Sequence, residues 1–443
     1  MRKGLIITVL MLFIISLSGI DARGLTLSEG LKKLSLRARE LSIAQRNIEM
    51  ASQDINIANS YRLPQIELYG YQTWLRYQPE AALGLFGPVP LSEKDYLTYG
   101  FRINQLLYDF GKTGSLVDAS KEALKAAKLK RQRLMNLLSI RFINAYFDLL
   151  EAQRLIQVSD KKIQALEAHY RNAKALFDAG VVVKNDLLQT EVMLADARQK
   201  HIELLNLKKI RISVINNMLS ENLNTNVIPE EPVLTESFKD ITLQQAWQEA
   251  IKNRPELKIV DAEIKALRQK LASKKAEYYP TLYASGGYEY QKNRYMVHDD
   301  NWMAVLGLKM ELFSGGRTRA ELKRIKHQLE ALEINKQKIA DSIRLEVKSA
   351  YLSLESARER VQVTRKAIQQ AEENLRLQEL RYKEAVGTAT EVTDAIALLS
   401  ASKNNYYRAL YALKKAEAQL LYAMGIDLLS AYTSTEKVKN EHE

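Results

Sequence analysis

The sequence predicts a mainly helical chain with a membrane β-barrel portion, written as one structural unit twice over. Three observations lead there. The stretch "LYDFGKTGSLVDA" from Leu107 is echoed by "LFSGGRTRAELKR" from Leu312, 205 positions later. No proline lies between Pro90 and Pro229 or after Pro280, which suits very long helices because an interior proline breaks them. Stretches near both echoes alternate apolar and polar residues, with tyrosine and tryptophan on the apolar side, the period of a β-strand.

In chain order, Arg2 and Lys3 precede an apolar run from Leu5 to Ile20, and small residues lead to Ala22. This pattern reads as a signal peptide over 1–22. Ser16, Ser18 and Gly19 interrupt the run, which argues against a single membrane anchor. A first repeat is expected over 23–220, a linker over 221–240, a second repeat over 241–425 and a tail over 426–443. Each repeat starts with a helix, 26–62 and 242–279. Thr26 with Glu29, and Thr242 with Gln245, have the spacing of capping boxes. Pro64 and Pro280 mark the ends of these helices.

Hairpins are expected at about 64–108 and 280–312. In "LTYGFRINQLL", Leu97, Tyr99, Phe101 and Ile103 share one face, with Arg102 and Asn104 on the other. "LYASGGYEY" puts Tyr288 and Tyr290 opposite Glu289, and "WMAVLGLKMEL" puts Trp302, Leu306 and Leu308 opposite Lys309. The first strand, "QIELYGYQTW", keeps Ile66, Leu68 and Trp74 together. About ten residues of such alternation suit an outer-membrane barrel strand, with Arg102, Asn104, Glu289 and Lys309 as candidate lumen residues. Four strands cannot close a barrel, whose smallest membrane form has about eight. Copies must pool their strands, as a dimer, trimer or tetramer. Helices follow at 113–179 and 185–220, then at 318–384 and 391–424. The two long ones would each reach about 100 Å.

Composition excludes several classes. There is no cysteine, so thiol catalysis and disulfides are out, and the five histidines show no metal-ligand spacing. No cofactor is expected. The net charge of +12 comes from basic residues interleaved with acidic ones along helices, a solvated surface and not a nucleic-acid site. GxSxG, P-loop and paired-histidine motifs are absent, so no enzyme is expected.

"NRPEL" at 253–257, the corner "LFSGGRTRAELK", and the paired turns "FDAGVVVKNDLLQTE" and "YKEAVGTATEVTDA" resemble the TolC-like outer membrane efflux proteins. The resemblance spans about residues 25 to 425. It implies a homotrimer with a twelve-stranded barrel in outer-membrane lipid of a Gram-negative bacterium. A long α-helical tunnel would cross the periplasm and meet an adaptor protein and an inner-membrane pump. Such a protein is an exit duct for efflux or type I secretion. The resemblance carries pore-constriction roles to Asp186, Tyr382, Glu391 and Asp394 at the periplasmic tip. The turn Lys383 to Thr390 lacks the arginine that often serves as latch partner, which leaves Lys383 or Lys184 for that task. The alternative reading is an exported coiled-coil structural or adhesion protein.

Overall fold

The computed structural model describes residues 24–82, 84, 87–232, 241–384 and 386–433. The signal segment 1–22, the 233–240 part of the linker and the 434–443 part of the tail lie outside the described residues.

Both expected capping boxes form. Thr26 caps α1 (Leu27–Arg37) and Thr242 caps α5 (Leu243–Asn253), each with the reciprocal bond from the third helical residue. The single helices expected over 26–62 and 242–279 are each broken in two. Ala38 separates α1 from α2 (Arg39–Ser60), and Arg254 separates α5 from α6 (Pro255–Lys275). A single 3-10 turn, Ala276–Tyr278, follows α6. Both break residues are extended, with ψ of 122°. In the second half the cause is local: Pro255 starts a helix well but disfavours helical geometry in Arg254 before it. Ala38 has no proline after it. Packing holds that break instead, since Ala38 is buried and Arg37 pairs with Glu221 at 2.6 Å.

The strands are β1 (Gln65–Trp74), β4 (Asp95–Tyr108), β5 (Thr281–Gln291) and β6 (Asp300–Lys309), antiparallel throughout and ordered β1-β4-β5-β6. The loop expected between β1 and β4 carries a small hairpin of its own, β2 (Glu80–Ala82) with β3 (Pro88–Pro90). The halves are joined edge to edge by β4 and β5, while the outer edges of β1 and β6 have no neighbouring strand among the described residues. On one face Phe101 meets Trp302 and Tyr288 meets Trp302, at ring separations of 5.7 and 5.1 Å. Leu68, Trp302 and Leu306 on that face stand more than two-thirds exposed. No helix among the described residues is long and apolar enough to cross a membrane.

Two long helices leave this sheet: α3 (Lys112–Asp178) and α7 (Arg317–Lys383), 67 residues each. The chain turns into them at Gly111 and Gly316, whose φ values are +84° and +83°. Only glycine takes that left-handed geometry without cost, so the echoed glycines are the corners themselves. At the far end the chain reverses into α4 (Lys184–Met218) and α8 (Ala389–Ala423). Helix α3 packs against α2, α4, α6 and α8, and so draws both halves together, whereas α7 packs against α5, α6 and α8.

The main core sits at mid-height. Phe142, Tyr146, Phe147 and Leu149 of α3 are fully buried against Leu31 and Leu34 of α1, Ile215 of α4 and Leu428. The Tyr146 hydroxyl lies 2.7 Å from the Leu25 carbonyl and 2.6 Å from that of Glu230, and the Glu230 N–H donates to it at 3.0 Å. One buried hydroxyl thus clasps the chain entry to the inter-repeat segment.

Candidate functional site

Two places collect the polar residues singled out by sequence: the face of the sheet opposite Trp302 and the far tips of the long helices. On the sheet, cross-strand register puts Arg102 beside Gly287, Asn104 beside Ser285, Glu289 beside Gly100 and Lys309 beside Thr281. All four therefore share the face opposite the tryptophan side. They are not isolated there. The Tyr69 hydroxyl donates to Glu289 at 2.9 Å, Arg102 lies over the Tyr69 ring at 5.6 Å, and Ser285 donates to Asn104 at 2.9 Å. Lys309 is exposed.

At the tips the two turns are built differently. The first closes on Gly180, with φ of +76°, and Val181 N–H donates to the Leu176 carbonyl. The helix that follows has Val183 at its cap and no side-chain bond there. The second turn ends in a full capping box: Glu391 N–H donates to the Thr388 hydroxyl at 3.2 Å, and Thr388 N–H donates to the Glu391 carboxylate at 2.9 Å. Arg381 stands 3.6 Å from the same carboxylate.

Equivalent carboxylates therefore do different work. Glu391 is committed to its own helix and to Arg381. Asp186, 205 positions earlier, has valine where Glu391 has threonine, and its carboxylate makes no hydrogen bond or ion pair among the described residues. Asp394 is exposed. Thr390 donates to Gln189 at 2.9 Å, tying α8 to α4.

Tyr382 is 7% exposed and belongs to a tip cluster with Leu166, Leu194, Val392 and Ile396. Its ring centre is 5.0 Å from that of His169, which is 5% exposed. Burial, then the nearby Asp186 charge, pushes the Tyr382 phenol up. Burial pushes the His169 imidazole below its ordinary value, against the opposing effects of a backbone hydrogen bond to Ala389 and of Asp186. The family resemblance pointed to Tyr382 and Asp186 but not to His169, Arg381, Thr388 or Gln189. Thr388 and Glu391 have readable capping-box spacing. His169 gives no such signal, because the image of His169 in the second half is Asn374 and that of Tyr382 in the first is Phe177.

A depressed histidine pKa has a defined consequence. The folded tip favours neutral His169, so its contribution is present above the ordinary value of about 6.5 and is lost as pH falls toward the lowered one. Asp186 favours the protonated ring and softens the effect. Backbone amide exchange in the two tip turns should therefore quicken from neutral pH to about pH 5, after correction for intrinsic rates. His169→Phe should remove the acid-dependent part, and an unchanged difference in that variant would reject the assignment.

A four-stranded sheet with an apolar face and two open edges, rooted in rods of about 100 Å, defines a β-sheet membrane protein with a long helical extension. The chain belongs to the outer membrane efflux protein family, whose model matches residues 30–215 and 246–426, one segment in each repeat. It is 23% identical over 280 residues to the outer membrane efflux protein BepC of Brucella suis biovar 1, covering 62% of this chain and 60% of that protein. The match thus spans less than two-thirds of that relative. Among solved structures, a membrane protein from Pseudomonas aeruginosa superposes with a TM-score of 0.78 at 18% identity, covering 90% of each chain. The outer membrane protein VceC from Vibrio cholerae gives 0.76 at 16% identity, covering 90% of this chain and 96% of that one.

Proposed function

We propose that this chain is one subunit of a trimeric outer-membrane exit duct. It passively conducts substrates handed over by an inner-membrane pump and a periplasmic adaptor in efflux or type I secretion. The observation that carries this is the unclosed sheet. Backbone groups at a free edge have no partner in hydrocarbon, so β1 of one copy must meet β6 of another. Three copies give twelve strands, above the minimum of about eight.

The helices support the same ring. One exposed apolar stripe runs along α2 through Ile43, Met50 and Ile57, and Val192 and Ile202 are exposed on α4. Another runs along α7 through Ile334, Leu345 and Val363. Different surfaces meeting head to tail close a ring when the rotation allows it. Asp186, Asp394 and Tyr382 at the tip then narrow the periplasmic mouth, where three copies of each carboxylate attract cations. Arg381 takes the latch role at Glu391, and Arg102, Asn104, Glu289 and Lys309 line a wet lumen.

The test uses protein extracted from outer membranes. Light scattering should give about three times the subunit mass, and planar bilayers should show a pore whose cation preference falls in the double variant Asp186→Asn with Asp394→Asn. These substitutions spare the Glu391 cap. A soluble monomer without conductance would favour the exported coiled-coil scaffold instead.

A further inference from the structure

We infer that Asn293 is the positioning residue of the outer mouth: it braces a hairpin arm of the first repeat against the second and so holds the mouth at one width. This rests on the exit-duct reading, in which the sheet end away from the long helices is the outer one. Residues 75–94 join β1 to β4 at that end and form the arm. Leu75 N–H donates to the Lys94 carbonyl and Leu91 N–H to that of Pro79, both at 2.8 Å, and β2 pairs with β3 further out. The Gln78 side chain donates to the Ser92 carbonyl at 3.1 Å. The arm is thus bonded within itself, yet a two-stranded hairpin standing alone in water is only marginally stable. It holds one position only if something braces it.

The shorter segment 292–299, between β5 and β6, supplies the brace. Asn293 is only 1% exposed, although it belongs to none of the hydrophobic clusters. Its amide nitrogen donates to Ser92 Oγ at 2.7 Å, and its amide oxygen accepts from Glu93 N–H and from Tyr295 N–H, each at 3.2 Å. Arg294 Nε donates to the Glu93 carboxylate at 2.6 Å. Among the described residues, every hydrogen bond between 75–94 and the second repeat runs to Asn293 or Arg294. These two differ in weight. The Arg294 side chain is 74% exposed, and a surface ion pair holds little. The Asn293 amide is shielded from water, and without it two backbone N–H groups and a hydroxyl lose their partner. They recover one from water when the arm swings away, a local opening that leaves the rest of the fold intact. Around a ring of copies, each arm at the mouth is held by one such amide.

The test records single-channel current from the full-length protein in planar bilayers. The parent should conduct steadily. Asn293→Ala should show brief partial closures as freed arms cross the mouth, with heat-modifiable oligomer formed as in the parent. Ser92→Ala keeps Asn293 and loses one bond, and should show the same closures less often. The chain has no cysteine, so Ser92→Cys with Asn293→Cys can be bridged selectively by a short bismethanethiosulfonate linker. Bridging should restore steady current, and dithiothreitol should bring the closures back, a reversal that general misfolding would not give. A parent without conductance would sink the duct and the brace together. A conducting parent that Asn293→Ala matches in steadiness, or closures that bridging does not cure, would overturn the brace alone.

Discussion

Leu306→Arg should prevent stable assembly of the barrel. Leu306 is 72% exposed near the middle of β6, pairs with Ala284, and shares its face with Trp302 and Leu308. In the proposed duct that face meets hydrocarbon. An arginine near the midplane of a barrel's lipid face costs about 2–4 kcal/mol in each subunit, and the cost recurs in every copy around the ring. The adjacent substitution, Val305→Arg, points to the face of Asn104 and Ser285. There it meets water, and assembly should survive. Recovery of heat-modifiable oligomer from outer membranes reads both. Equal loss in the two variants would remove the two-faced sheet, and equal tolerance would remove the lipid contact.

Tyr146→Ala should cost far more than the same change at Tyr351, its image in the second repeat. Tyr146 is fully buried between Phe142 and Phe147, with its hydroxyl bonded to Leu25 and Glu230. Emptying such a site typically costs about 3–5 kcal/mol, and here it also removes the hydroxyl that ties Leu25 to Glu230. Tyr351 is only partly buried, beside a smaller cluster around Val347 and Leu354. A typical loss of about 1 kcal/mol is expected there. The midpoint of the helical circular-dichroism melt should fall much further for the first variant. Similar midpoints would mean that the clasp at mid-height adds little.

Much of this was readable in the letters because it is local. The echo at 205 residues located both corners, and the structure gives Gly111 and Gly316 nearly identical backbone angles. Threonine three residues before Glu29 and Gln245 announced two capping boxes, and both form. Alternation sorted strand residues onto faces, and Arg102, Asn104, Glu289 and Lys309 do share one. Neither helix break was anticipated: Pro255 marks the one at Arg254, but its twin at Ala38 has no local mark. The tip was the least legible part. The His169–Tyr382 contact joins residues 213 positions apart, and neither member has its like in the other repeat.

The break at Ala38 and the small β2–β3 hairpin aside, the sequence by itself determined which elements form, where they turn and which of their faces are apolar. Those properties arise from backbone sterics, capping and periodicity within a few residues. Only the tertiary structure decided which faces meet: β4 against β5, α3 against α6 and α8, and an imidazole beside a phenol at the tip. Periodicity reports that a face must be covered but not by what. The duplication conceals this further, because two near-equal repeats offer near-equal partners until side-chain volume and buried polar atoms choose between them.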